Sequence, residues 1–279
     1  MSAVGDQTIS VGPTVELSLR VSVSTLSRVV FSHPRDWIPM LALEHKATLV
    51  SVGTDPNVDV KAQPFGGAIQ ILNIESLLSL VGSFNFDSER SRSERDFRIY
   101  MNPSNWGKVR DFCLKNMAEG GGRELELDPT RELVEEFDDT LGIQLKPEQY
   151  IVDPYNIVVE NEPAPTSNVR ASGAPTARIY RVYEVRILDR DLCRAMISNS
   201  EAHPGQVLRA EALDDAHKGG LGRANAVLVA AEEEIRAAFL NVPPERRGEV
   251  LPFAGTLLEG NVPAVLEGVK VTKYRHIRQ

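Results

Sequence analysis

The sequence predicts an α+β sandwich built around a mixed β-sheet. Arg178 to Leu188 (RIYRVYEVRIL) alternates polar with apolar, aromatic and β-branched residues, the pattern of a half-buried strand. Segments of helical spacing at 105–117 and 129–141 fall between strand-like stretches without regular βαβ alternation, which disfavours a doubly wound parallel sheet. With 279 residues, 42% of them hydrophobic and 25% charged, the chain can bury the core of one large domain, and disordered, collagen-like and coiled-coil classes are excluded.

Taken in order, residues 1–12 read as a flexible tail. Val15 to Val23 alternates as a half-buried strand. Asp36 to Lys46 has the spacing of a short helix with Trp37, Met40 and Leu41 inward, despite Pro39. Ala47 to Val52 is a second strand, closed by the turn sequence GTDPN. KAQPFGGAIQIL is a strand interrupted by Gly66 and Gly67, and Ile74 to Val81 is a short helix. The charged run 87–98 (DSERSRSERDFR) reads as a solvated loop leading into a strand from Phe97 to Tyr100. Asn105 to Met117 is a helix with Trp106, Val109, Phe112 and Cys113 on one side. Residues 161–177 are rich in Pro, Ser, Ala and Gly and read as a mobile loop. Asp214 to Leu221 is loop-like. Asn225 to Leu240 reads as an amphipathic helix on Val227, Leu228, Ala231, Ile235 and Phe239, and VKVTKY near the end as a strand.

Several function classes fall away. No run reaches the roughly 18 apolar residues that a membrane helix needs. The first residues lack the basic start and apolar run of a secretory signal, and two cysteines, Cys113 and Cys193, suit a reducing cytoplasm rather than a disulfide framework. There is no P-loop, no GxSxG elbow and no CxxC pair, and the five histidines lack metal-binding spacing. A net charge of −8 argues against stable coating of nucleic acid.

That charge is concentrated. Residues 119–139 hold nine acids against Arg123 and Arg131, a balance of −7. Within this segment Asp128 suits an N-cap, Pro129 the first helical position, and Gly142 a stop. On the intervening helix, Leu133, Val134, Phe137 and Leu141 gather on one face, with Glu132, Glu135, Glu136 and Asp139 on the other. Four neighbouring like-charge pairs result, together unfavourable by about 1–2 kcal/mol on an exposed helix. A divalent cation would remove the repulsion, and carboxylate oxygens are hard ligands suited to Mg²⁺ or Mn²⁺.

Arg131-Glu132-Leu133-Val134-Glu135-Glu136 resembles the REUxEE core of the Nudix hydrolase family, where U is aliphatic. Pro64-Phe65-Gly66-Gly67-Ala68 resembles the Gly-Gly strand that precedes that helix in the family. Some sixty residues separate Gly67 from Arg131, so the resemblance implies a split box with an insertion at about 72–119 of a single domain spanning 13–279. Gly120-Gly121-Gly122 is an alternative equivalent of the glycine pair, with a shorter loop. Asp138 stands where the family has a glycine, Gly142-Ile143 lies one turn later, and Glu124 and Glu126 are the nearest acids to the family's early glutamate. A similarly split box is found in a divergent Nudix branch beside bacterial nucleotide-signalling defence genes.

The resemblance implies a Nudix-like α/β/α sandwich and metal-assisted attack of water on a nucleoside diphosphate linked to another moiety. Glu132, Glu135 and Glu136 would hold Mg²⁺ or Mn²⁺, one of them doubling as general base, with Arg131 orienting a glutamate and Asp139 an extra ligand. Gly66, Gly67, Arg98 and Arg181 would meet the substrate. A further acid could come from Glu160, Glu184, Glu211 or Glu232. Arg90, Arg92 and Arg95 are interleaved with acids, which favours a solvated loop. Trp37, Trp106, Tyr180 and Tyr183 read as core before they read as base-stacking groups. The competing readings are a Nudix-like module that senses a nucleotide without hydrolysing it, and an unrelated α+β domain with an acidic face. The expected partner is a nucleotide-type small molecule, with a homodimer as the candidate assembly.

Overall fold

The computed structural model describes residues 9–52, 55–118, 123–165, 171, 173–202, 224–231, 264–266 and 269–272. The elements follow as β1 (Leu19–Ser32), β2 (Pro39–Val52), β3 (Asp55–Gln63), α1 (Ile74–Val81), β4 (Phe84–Phe86), α2 (Glu89–Glu94), β5 (Arg98–Met101) and α3 (Trp106–Met117). Then come α4 (Thr130–Leu141), β6 (Tyr150–Pro165), β7 (Pro175–Ile187), α5 (Arg190–Ala202), β8 (Ala224–Ala231), β9 (Ala264–Leu266) and β10 (Val269–Thr272). The strands form one sheet in the order β3-β2-β1-β7-β6-β10-β9, with β5 added to β1, β4 to β5 and β8 to β2. β1 and β7 run parallel, as do β6 and β10, while the other pairs are antiparallel. The mixed sheet with helices is the expected α+β class.

β1 and β7 form the spine, in unbroken parallel register from Arg20↔Thr176 to Val30↔Arg186. Because side chains alternate along a strand, the odd-numbered residues of both strands share one face. At one end of that face, Leu19, Val21, Val23, Ala177 and Ile179 join α1, α3 and β5 in a core that includes Phe97, Ile99, Val109 and Cys113. At the other end, Val29, Phe31, Val185 and Ile187 join α4 and α5 through Leu133, Phe137, Leu192 and Met196. Between the two cores the same face presents Thr25 and Ser27 on β1 and Arg181 and Tyr183 on β7. A polar seam therefore crosses an otherwise apolar sheet face.

Six expectations change. Asp36 to Lys46 is not a helix: a turn carries Trp37 at φ 62° and β2 starts at Pro39. Its good helix formers are overridden because Leu41 to Glu44 is buried without a break, as in a strand enclosed on both faces. The start of the expected helix 225–240 is strand β8, paired along β2, with Val227 buried; residues 232–240 lie outside the described residues, as does the loop-like 214–221. The charged run 87–98 contains the helix α2, capped by Ser88, whose Oγ accepts from the Ser91 N–H at 3.1 Å. Residues 9–12 are pinned rather than loose: the Gly12 N–H donates to the Phe86 carbonyl at 2.8 Å and the Phe86 N–H to that of Ser10 at 3.0 Å. β6 and β7 also extend into the segment read as a loop, to Pro165 and from Pro175. Trp37, read as core, is 64% exposed.

One buried ion pair ties α2 to the spine. Arg20 donates to Asp87 Oδ2 from Nε at 3.0 Å and Nη2 at 2.6 Å, and both side chains are almost enclosed. Removing one partner strands the other charge in the interior, so Asp87→Ala should lower stability to urea by about 3–5 kcal/mol. The double change Arg20→Met with Asp87→Leu should restore most of it, because neither charge is then left alone. Equal losses for the single and double variants would disprove this account.

Candidate active site around helix α4

Helix α4 forms where the acidic segment predicts it. Asp128 Oδ1 accepts from the Thr130 N–H at 2.8 Å, Pro129 precedes the first turn, and Gly142 ends the helix at φ 63° with its N–H on the Asp138 carbonyl at 2.8 Å. Leu133 and Phe137 are fully buried, and the Phe137 ring lies 4.9 Å from that of Phe65. Phe65 belongs to the Pro-Phe-Gly-Gly stretch, so α4 is seated directly on the glycine strand. The approach to the helix is fixed from β7 as well, since the Tyr183 hydroxyl donates to the Leu127 carbonyl at 2.5 Å.

Both glycines are required by contact. Gly66 has φ 144°, a conformation open to glycine, and a Cβ there would strike the Thr25 carbonyl. A Cβ on Gly67 would fall inside the Glu132 carboxylate. The Gly67 carbonyl accepts from the Thr25 N–H at 3.0 Å, which fixes the strand beneath that carboxylate. Gly66-Gly67 is therefore a glycine element that meets α4; the alternative, Gly120-Gly122, lies outside the described residues.

The carboxylates gather around one guanidinium. Arg131 lies 2.6 Å from Glu132, 3.1 Å from Glu126 and 3.6 Å from Glu135. Arg131 thus supplies part of the relief from like-charge repulsion that the sequence assigned to a divalent cation. Glu132 is mostly buried and Glu135 is 60% exposed; Glu136 is half-buried and Asp139 exposed. Burial pushes the Glu132 carboxyl above its ordinary value, with Glu135 and Glu136 adding to the shift and Arg131 opposing it. Burial also works against the Arg131 charge, but Glu132, Glu126 and Glu135 outweigh it and raise that pKa.

The remaining candidates separate clearly. Arg181 sits in the polar seam, in register with Thr25, with its guanidinium carbon 5.2 Å from the Tyr183 ring centre and its Nε buried without a hydrogen-bond partner. Arg98 donates from Nη1 to buried Asp96 at 3.2 Å. Glu184 pairs with Arg28 at 2.7 Å and, by strand alternation, faces away from α4. The side chain of Glu160 and both Glu211 and Glu232 lie outside the described residues. Glu126 is the acid that spacing alone did not select; its position five residues before Arg131, on an extended approach, is the signal that could have found it. Among the described residues no three His, Cys, Asp or Glu side chains form a ready cation cage. The donors are nonetheless all oxygen, the set a hard divalent cation takes; Glu132 and Glu135 converge with Glu126 on Arg131, and Glu136 lies one position further along the helix.

A mixed sheet that seats an REUxEE helix on a Gly-Gly strand defines a Nudix domain. The family model of the SMODS-associated NUDIX domain matches residues 18–226, and the chain belongs to this family. No curated protein matches the chain.

Two outcomes follow from the geometry. Gly67→Ala should destabilise by about 1–3 kcal/mol through overpacking against Glu132, and should abolish any Mn²⁺-induced rise in melting temperature. An unchanged Mn²⁺ response would show that the contact does not position the carboxylate. For Glu132, the raised pKa means that its favourable contribution is complete below the ordinary glutamate range and is lost as pH rises through the folded-state value. In metal-free buffer at pH 7, Glu132→Gln should therefore be more stable than wild type, by roughly 0.4–1 kcal/mol for two like-charge pairs removed. The gap should close as the pH falls; a gap that widens on acidification would refute the assignment.

Proposed function

We propose that this protein is a Mg²⁺- or Mn²⁺-dependent hydrolase of a nucleoside diphosphate linked to another moiety, working on the exposed face of α4. The observation that carries the reading is the seating of Glu132 on Gly67, with Glu126 and Glu135 drawn to the same guanidinium. Members of the Nudix family generally use divalent metals. Glu132, Glu135 and Glu136 would hold the ion, with Asp139 one turn further as an outer ligand. When bound, the ion lowers the pKa of an attacking water and offsets charge on the phosphoryl oxygens.

The chain's own groups supply the rest. Arg131 holds Glu132 and Glu126 in fixed rotamers by charge-assisted hydrogen bonds. Glu135, exposed and held only at 3.6 Å, takes the proton of the attacking water on a carboxylate oxygen. Gly66 and Gly67 let β1 and Glu132 pack against their backbone, which sets the depth of the carboxylates that would meet the diphosphate. Arg181, with Nε unpaired in the seam, donates to a phosphate oxygen, while Arg98, in register with Ser22 on the other face of the sheet, stays on Asp96 and is set aside as a substrate group. No helix among the described residues is long and apolar enough to cross a membrane. Cys113 and Cys193 are free and buried, which supports a reducing, cytoplasmic setting.

The test is turnover of ADP-ribose, dinucleotides, nucleotide sugars and nucleoside triphosphates with Mg²⁺ or Mn²⁺, beside Glu135→Gln and Glu136→Gln. Each substitution should lower kcat by roughly a hundredfold or more, the range for a positioned acid–base group. Hydrolysis that survives both would sink the catalytic assignment. Metal-dependent nucleotide binding without turnover would move the protein to the nucleotide-sensing reading.

A further inference from the structure

Arg181 and the carboxylates of α4 are related by a single row of residues across the sheet. Arg181 stands in register with Thr25 on β1. The Thr25 N–H donates to the Gly67 carbonyl at 3.0 Å, and the bridges Ser24↔Ala68 and Ser27↔Phe65 set Gly67 opposite Thr25. Residues opposite one another on neighbouring strands share a face of the sheet. Glu132 rests on Gly67 at that face, so Arg181 and Glu132 stand over one row with Thr25 between them. Two strand spacings, about 10 Å, separate the backbone of Arg181 from that of Gly67.

Tyr183 is buried on the same face, in register with Ser27, and makes two contacts of different kinds. Its ring centre lies 5.2 Å from the guanidinium carbon of Arg181. Its hydroxyl donates to the Leu127 carbonyl at 2.5 Å. Leu127 belongs to a segment on the far side of the glycine strand from β1. There Ile71 bridges Leu125, and the Glu126 N–H donates to the Gln70 carbonyl at 3.0 Å. The phenol therefore reaches from β7 over β1 and the glycine strand to the approach to α4. The residue it holds lies between Glu126, which accepts from Arg131, and Asp128, whose Oδ1 accepts from the Thr130 N–H. One side chain thus touches the guanidinium at one end of the row and the peptide that leads into the carboxylates at the other. The contact with Arg181 needs only the ring, whereas the bond to Leu127 needs the hydroxyl.

We propose that Tyr183 is a positioning residue that sets the distance between Arg181 and the carboxylates of α4, so that one ligand meets both. This rests on the hydrolase reading above and adds a residue to that site. Tyr183 acts through Arg181 and Leu127. Without its hydroxyl both ends of the row are still present, but the approach to α4 is released from β7 and the two ends are no longer held at one spacing. The loss falls on the coupling between metal and ligand rather than on either group alone.

The test is linkage between Mn²⁺ and the non-hydrolysable probe α,β-methylene ADP on the full chain, measured by calorimetry. The coupling factor is the probe's dissociation constant without Mn²⁺ divided by that with it. The part due to Mn²⁺ binding the probe in solution is common to all variants and cancels between them. Tyr183→Phe, which keeps the ring, should lower the factor about tenfold, the size of one hydrogen bond. Arg181→Met should lower it as well, and adding Tyr183→Phe to Arg181→Met should lower it no further, because one end of the row is already lost. A Tyr183→Phe chain that melts earlier but keeps the wild-type factor has lost only a structural contact, and overturns the proposal. A further drop in the double variant overturns it too. In both cases the hydrolase reading stands, provided that Mn²⁺ tightens the probe on wild type. If Mn²⁺ does not tighten it there, that reading falls and the proposal with it.

Discussion

The close approach of Gly67 to Glu132 is the constraint on which the rest of the site depends. A carboxylate can rest on a strand only where no side chain intervenes, and a Cβ at position 67 would occupy its place. Seating it there buries Glu132 against its own charge, which raises its pKa and makes a positive neighbour necessary. Arg131 meets that need at 2.6 Å, and in doing so draws in Glu126 from the approach to the helix and Glu135 from the next turn. One glycine thus sets the depth of α4, the position of the arginine and the convergence of three carboxylates.

The packing explains why this tension does not displace the helix. Leu133 and Phe137 bury fully on the opposite side of α4, and Phe65 anchors Phe137 from the residue just before the glycines. Burial of two such side chains is worth about 3–6 kcal/mol, more than the about 1–2 kcal/mol of like-charge repulsion along the outer face. Apolar burial therefore wins, and the acidic face is held in place rather than relaxed. The seam on the sheet has the same logic. Two apolar cores lock β1 and β7 at either end, and the polar residues between them, Thr25, Ser27, Arg181 and Tyr183, are held by the rigid strands on either side.

What the sequence disclosed follows from the range of the interactions involved. Helices α1, α3 and α4 were legible because their apolar stripes and caps are local, and β7 because strict alternation admits one period. β2 and β8 were not: Met40 to Glu44 and Ala224 to Ala231 carry helix-forming residues, and only their mutual pairing in the sheet decides for strand. Among the candidate site residues, the helix carboxylates could be grouped from spacing alone. The bonding of Glu126 to Arg131 could not, because it depends on the path of the chain into α4. Placing Gly67 against Glu132 needed a contact across more than sixty residues, which no local pattern encodes.

The split of the box is physically inexpensive because of where it occurs. Residues 72–124 leave and rejoin the strand within one hydrogen-bonded pair, so the ends of the insertion are held together whatever it contains. Loop-closure entropy grows only with the logarithm of length, and here the segment packs Phe84, Phe86, Val109 and Leu114 into a core shared with β1, β6 and β7, so its ordering is offset by burial. The added segment then has no reason to disturb the distance from Gly67 to Glu132. It is free to vary in what it presents at its edge. That edge includes α2, bound to the spine through Arg20 and Asp87, with Asp96 just past its end bridged to Gln70. A segment closed at this point adds to the fold without moving the contact between Gly67 and Glu132.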